Sequence, residues 1–208
     1  MRRIDVVAGQ EFNQFVECFP AWSGWLATIV SSEDGLIVGK DGNSKGIGNQ
    51  VDLQMLMALR SKADVICTTG KTARAESYKA SRFAPLAFLT KNRESLSELP
   101  AVIEPGSHEN IFIEPLVGID PFNWANTELN NMDLTSILFE GGPSSLEVLW
   151  SSDLPVQLVF SIADCQEAEE VDVLEILGIT LPWLKSYELV DDIVIGPNRV
   201  TRWAKSPL

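Results

Sequence analysis

The segment Ile137-Leu138-Phe139-Glu140-Gly141-Gly142-Pro143-Ser144-Ser145-Leu146 carries the clearest local chemistry in the chain. An apolar run leads into two glycines, and Pro143 stands where a helix would begin. Glycine lets the backbone approach a ligand closely, and the unpaired N–H groups of a first helical turn, with the helix dipole behind them, favour an anion. Proline at the first helical position forfeits no needed N–H. On the motif alone two meanings stay open, a phosphate site or a plain tight turn from strand to helix. Ligands in parallel sheets gather at the carboxyl ends of strands, which weighs toward phosphate. Other chemistries find little support. Cys18, Cys67 and Cys165 are odd in number and form no C-x-x-C pair, so they indicate neither a disulfide framework nor zinc and read as buried free thiols. His108 is the single histidine and reads as a surface residue, and no metal site is expected.

Stepping along the chain shows what would position that turn. Gly24–Ser31 is a short apolar run rich in β-formers, and Leu36–Val38 resumes it after the turn Ser32-Glu33-Asp34-Gly35. Residues 39–48 form a glycine-rich loop. From Val51 to Lys62 the apolar residues Val51, Leu53, Met55, Leu56, Ala58 and Leu59 recur at helical spacing, with Asp52 as the acidic residue of the first turn. Residues 63–69, 85–90, 111–115 and 135–139 read as buried strands of a parallel sheet, with helices at 124–131 and 144–150. This β-α-β alternation defines an α/β fold with a mostly parallel central sheet flanked by helices. The C-terminal part differs: residues 157–162 and 183–190 are extended, and 192–203 make an antiparallel hairpin around Gly196-Pro197-Asn198. Residues 1–23 read as an N-terminal arm and 24–208 as one domain.

With 208 residues, 45% hydrophobic and 22% charged, the chain can bury one core of ordinary size. Its formal net charge of -13 sets a repulsive mean field against nucleic acid and anionic membranes, and neither is expected as a partner. A small phosphorylated ligand is still compatible, because a helix N-terminus and a few cations act locally. No apolar run reaches the length of about 18 residues that a spanning helix needs, and a cytoplasmic protein is expected.

Five segments, taken together and in order, resemble the reductase domain of riboflavin biosynthesis and its dihydrofolate-reductase-like relatives. These are Ser32-Glu33-Asp34-Gly35; Gly42-Asn43-Ser44 with Arg60; Ala63-Asp64-Val65; Thr72-Ala73-Arg74-Ala75-Glu76; and Glu140-Gly141-Gly142-Pro143. The variant most similar is the short stand-alone pyrimidine reductase-like protein. The resemblance covers about residues 24–150 and implies a dihydrofolate-reductase-like fold, NADPH as cofactor and a homodimer. It places Thr72 and Glu76 on the nicotinamide-ribose side, Gly141, Gly142, Pro143 and Ser144 at the pyrophosphate, and Ser44, Arg60 and Glu140 at the substrate. Arg60, a permanent cation, suits a phosphate on a ribosyl chain, or else a salt bridge at the helix C-terminus. Thr90-Lys91-Asn92-Arg93, at the end of a strand, offers a hydroxyl and two cations for the 2'-phosphate, or else is a solvated basic turn.

The implied activity is hydride transfer to a small pyrimidine, pterin or ribosylaminopyrimidine. Two alternatives stand beside it: dihydrofolate reductase activity on the same fold, and a non-catalytic NADPH-binding or assembly protein. The second is motivated by departures on the substrate side, where Thr28 stands in place of the family's lysine and Val156-Gln157 in place of an acidic pair. Asp34 and Glu140 are the candidate acids, and no catalytic residue is assigned.

Overall fold

A computed structural model of the chain describes residues 1–5, 11–40 and 42–206. Residues 6–10 of the expected arm and Asp41 of the glycine-rich loop lie outside the described residues. In chain order the elements are β1 (Arg2–Ile4), α1 (Glu11–Cys18), β2 (Gly24–Ser31), α2 (Gln50–Arg60), β3 (Val65–Thr69), α3 (Gly70–Ala75), β4 (Leu86–Leu89), α4 (Pro100–Ile103), β5 (Ile111–Ile113), α5 (Pro121–Asn130), β6 (Ser136–Phe139), α6 (Pro143–Ser151), β7 (Val156–Ile162), α7 (Val173–Thr180), β8 (Tyr187–Ile195) and β9 (Asn198–Lys205). The strands form one mixed sheet in the order β1-β8-β9-β7-β2-β6-β3-β4-β5. The chain divides into two compact units, residues 1–20, 28–59 and 156–208 in one, and residues 21–27 and 60–155 in the other.

The unit of residues 21–27 and 60–155 is a parallel array. The start of β2 pairs with β6, β6 with β3, β3 with β4 and β4 with β5, all parallel. Every residue of β4, and Val65 to Thr68 of β3, is buried, which is why these strands read as unbroken apolar runs in the sequence. A helix on one face is locked to them by aromatic rings. Trp25, Phe122 and Phe139 meet edge to face with centroids 5.2–6.1 Å apart, and the Trp25 indole N–H donates to Asn126 Oδ1 at 3.0 Å. Asp120 starts α5 by accepting from the backbone N–H groups of Phe122 and Asn123, with Pro121 at the first helical position. That cap moves the helix start three residues ahead of the expected Trp124.

In the other unit β7, β9 and β8 run antiparallel and β1 adds parallel to β8. The expected hairpin is present, turning at Gly196 (φ +55°) and Pro197. Two expectations are corrected here. The extended segments read separately at 183–190 and from 192 onward are one nine-residue strand starting at Tyr187, with a register shift between Leu189 and Asp191 that breaks the alternation. Leu36–Val38 does not resume a strand: Leu36 and Val38 lie in irregular chain, 57% and 52% exposed, with no ladder partner to hold them extended. Helices α1 and α7 were not anticipated; Asp172 caps α7 by accepting from Leu174 and Glu175 N–H groups. Among the described residues no helix is long and apolar enough to cross a membrane.

Candidate functional site

In the unit of residues 21–27 and 60–155, three neighbouring parallel strands end side by side. β6 runs through Glu140-Gly141-Gly142 into α6, with Gly142 as N-cap (φ -73°, ψ 170°) and Pro143 at the first helical position. The Gly142 carbonyl accepts from Ser145 and Leu146 N–H groups, so Ser144, which is exposed, presents the helix's unpaired first-turn amide. β3 ends at Thr69, whose hydroxyl caps α3 by accepting from Thr72 N–H at 3.3 Å. Thr72 Oγ1 in turn lies 3.1 Å from Thr69 Oγ1 and accepts the Gly142 N–H at 3.2 Å, which joins the ends of β3 and β6. β4 ends at Thr90, where the hydroxyl and the Asn92 backbone close a small turn. A side chain on Gly70 would meet Thr90 Oγ1 at 2.9 Å, so the glycine is what lets the ends of β3 and β4 draw together.

Two cations stand at these ends without an anionic partner among the described residues, Lys71 after β3 and Lys91 after β4; both are exposed. Two further cations there are engaged by neutral groups, which leave their charge in place. Arg93 stacks on Phe112 at 4.1 Å, and Arg74 donates to Ser95 Oγ at 2.8 Å.

Beneath the glycine turn lies an ion pair whose carboxylate is buried and whose guanidinium is partly exposed. The Arg60 guanidinium, at the end of α2, donates to Glu140 through Nε at 2.7 Å and Nη2 at 2.5 Å. Tyr78 OH donates to Glu140 Oε2 at 2.7 Å, and Thr68 Oγ1 to the Glu140 carbonyl at 2.8 Å. Glu140 is 7% exposed. Burial opposes the charge on Arg60, but the Glu140 carboxylate outweighs it and holds the guanidinium above its ordinary pKa. Burial also pushes the Tyr78 phenol well up, and the neighbouring Glu140 charge adds to the effect.

The other unit carries a second constellation, at the start of α2. Asn49 Oδ1 caps the helix by accepting from Asp52 N–H at 3.0 Å. The Asp52 carboxylate turns back on Gly48, where any Cβ would come within 2.8 Å of Oδ2. Burial lifts the Asp52 pKa to about 6, with the Ser161 hydroxyl acting in the opposite direction. Ser161 on β7 and Ser31 on β2 are fully buried, and their hydroxyls make no conventional hydrogen bond among the described residues. A carboxyl that keeps its proton close to neutral pH can donate it to a bound molecule.

No family model and no curated protein matches the sequence. By structure the chain is similar to a pyrimidine reductase-like protein from Corynebacterium diphtheriae, with TM-score 0.62 and 18% identity over 95% of this chain and 94% of that one. It is also similar to RibD of Acinetobacter baumannii, with TM-score 0.65 and 13% identity over 89% of this chain but 58% of that one. A third likeness is to dihydrofolate reductase of Schistosoma mansoni, with TM-score 0.55 and 15% identity over 89% and 100%. The fold is dihydrofolate-reductase-like.

On this dihydrofolate-reductase-like scaffold the residues expected at the site fall into groups. Thr72, Gly141, Gly142, Pro143 and Ser144 come together at the ends of β3 and β6, with Thr90 at the end of the adjacent β4. Glu76 caps the C-terminus of α3, donating its N–H to the Thr72 carbonyl at 2.9 Å. Arg60 and Glu140, expected to meet a substrate, meet each other. Ser44 opens a short 3-10 turn in the other unit and accepts from Ile47 and Gly48 N–H groups through its carbonyl. Asp34 is exposed beside Glu33, Asp172 and Glu175 along an open acidic depression. The three cysteines are buried free thiols, and burial raises Cys67 to about 12.

Sequence reasoning missed Asp52 and Lys71. The pattern Asn49-x-x-Asp52, directly after a glycine-rich loop, was a signal for the first: a capping residue followed three positions later by a carboxylate that turns back on the loop. As the acidic residue of the first turn, Asp52 also complements the helix dipole, which masks its second relationship to the loop.

Proposed function

We propose that the protein is a reductase that takes hydride from NADPH and delivers it to a small pterin- or aminopyrimidine-like molecule. The observation that carries this reading is the row of strand ends in the unit of residues 21–27 and 60–155. It combines the Ser144 amide at the start of α6, an open approach at Gly142 and the unpaired Lys71 and Lys91. These features suit a dinucleotide with several phosphates. Nothing approaches a Cβ on Gly142 more closely than Thr72 Oγ1, at 3.8 Å, so the backbone there is accessible to a pyrophosphate.

In this reading Gly141, Gly142, Pro143 and Ser144 hold the pyrophosphate, and Thr90, Lys91 and Lys71 take the 2'-phosphate. Thr72 and Glu76 line the nicotinamide-ribose side. NADPH, when bound, supplies the hydride. The protein orients and shields the reactants.

Quenching of the protein's six tryptophans on titration with NADPH tests the cofactor. Consumption of NADPH with dihydrofolate, dihydrobiopterin and a ribosylated aminopyrimidine then tests the reaction. Binding with turnover of one of these is expected. Binding with no turnover across the panel would favour a non-catalytic dinucleotide-binding protein, and absence of binding would end the proposal.

A further inference from the structure

Three side chains far apart in sequence converge on one residue just before the glycine turn. Arg60 closes α2, Tyr78 follows α3, and Glu140 follows β6. Both carboxylate oxygens of Glu140 are taken, one by Arg60 Nε and the other by Arg60 Nη2 together with Tyr78 OH. Its carbonyl accepts from Thr68 at 2.8 Å and from Tyr78 at 3.3 Å, and its N–H donates to the Cys67 carbonyl at 2.9 Å. Two residues later the Gly142 N–H is held by Thr72. Every polar group of Glu140 is therefore fixed, and the turn leaving it is pinned on both sides.

The same pairing decides what Arg60 is free to do. Two of its donors point inward at a carboxylate that is 7% exposed. Swinging the guanidinium out toward a phosphate would strip those donors from Glu140 and leave its charge buried without a cation, an arrangement far costlier than the pair itself. One edge of the fork is committed, and the carboxylate it holds cancels the charge that a second anion would seek.

We propose that Arg60 and Tyr78 are positioning residues that hold the dinucleotide turn through Glu140, and that neither contacts the acceptor. The acceptor then needs no phosphate for recognition by Arg60, which separates this protein from reductases of phosphoribosylated substrates. This inference rests on the cofactor reading of the 141–144 turn.

The test compares the wild-type protein with Tyr78→Phe, Arg60→Met and the double variant Arg60→Met/Glu140→Met, using NADPH titration, thermal melting and binding of ribose 5-phosphate as a probe of Arg60. Tyr78→Phe is expected to weaken NADPH about tenfold. The double variant is expected to melt near the wild-type temperature, since an apolar pair replaces the ion pair without stranding a charge, yet still to bind NADPH about tenfold more weakly. A purely structural role would restore binding along with stability. Wild-type NADPH affinity in both Tyr78→Phe and the double variant would overturn the inference while leaving the cofactor reading intact. Ribose 5-phosphate binding that Arg60→Met abolishes, with NADPH affinity unchanged, would overturn it too. If the wild-type protein does not bind NADPH, the reading and the inference fall together.

Discussion

Gly141 lies against the ring of Phe139, two residues earlier in the chain: a Cβ on it would fall 2.1 Å from Phe139 Cζ. Phe139 cannot give way, because it is fully buried and wedged edge to face against Trp25 and Phe122. The adjacent glycine is under no such constraint, with φ at -73° and open space around it. The two glycines of one motif thus exist for different reasons, one for packing and one for approach.

Substitution separates these reasons. Gly141→Ala should destabilise the fold by about 1–3 kcal/mol through overpacking, measured by chemical denaturation. Gly142→Ala should leave stability unchanged or slightly improved, since alanine adopts that backbone readily. It should nevertheless weaken NADPH about tenfold, because the new methyl fills the approach to the phosphate. Undiminished NADPH affinity in Gly142→Ala would remove the turn from the dinucleotide site.

Asp52 gives the protein a pH signature. Its folded pKa is about 6, above the value of about 3.9 expected in the unfolded chain. Between those values the folded state binds the extra proton, so Asp52 makes stability fall as pH rises from about 4 to about 6, and the loss is complete above that. Asp52→Asn should therefore match the wild type near pH 4 and exceed it at pH 7.5 by up to about 3 kcal/mol. Chemical denaturation of both proteins across this pH range measures the difference.

Lys71 and Lys91 bear on the choice of dinucleotide. A phosphate dianion gains from each cation that is not already neutralised, and these two have no anionic partner among the described residues. Replacing either by Ala should lower the preference for NADPH over NADH about tenfold, with NADH affinity unchanged. An equal loss for both dinucleotides would mean that the lysines meet the pyrophosphate instead.

The parts of this fold that were legible in the sequence are those in which one local rule acts alone. β3, β4 and β6 are buried on both faces, so an apolar run is sufficient evidence, and Gly141–Pro143 announces its turn through backbone chemistry. The illegible parts depend on partners distant in the chain. Leu36–Val38 is apolar enough for a strand but gains no ladder, and the register shift after Leu189 disguises one strand as two. Arg60 and Glu140 each match a substrate-binding position taken singly. Only the fold, which brings together residues 80 apart, shows that they neutralise each other. Asp52 was hidden for the same reason, since its environment includes Ser161 on a strand more than a hundred residues later.

That environment is held by an amide clamp. Asn49 Nδ2 donates to Asp164 Oδ1 and to Asn198 Oδ1, both at 2.7 Å, and Asn198 Nδ2 returns a bond to Asn49 Oδ1 at 3.3 Å. Asn198 is fully buried on β9, and Asp164 adopts a left-handed backbone, φ +54°, beside it. Because Asn49 Oδ1 also caps α2 at Asp52, the clamp fixes the first turn of the helix and with it the burial of the carboxyl. Asn198→Leu leaves the Asn49 amide with Asp164 alone and strands one of its N–H groups, at a cost of about 1–3 kcal/mol. The first turn should then loosen, hydrate Asp52 and let its pKa fall back toward the ordinary carboxylate range. The expected outcome is an Asp52 titration, followed by NMR of its carboxyl, that moves from about 6 to lower pH, while NADPH affinity, governed by the 141–144 turn, stays the same. An unshifted titration in a folded Asn198→Leu protein would show that Asp52 is held without the clamp.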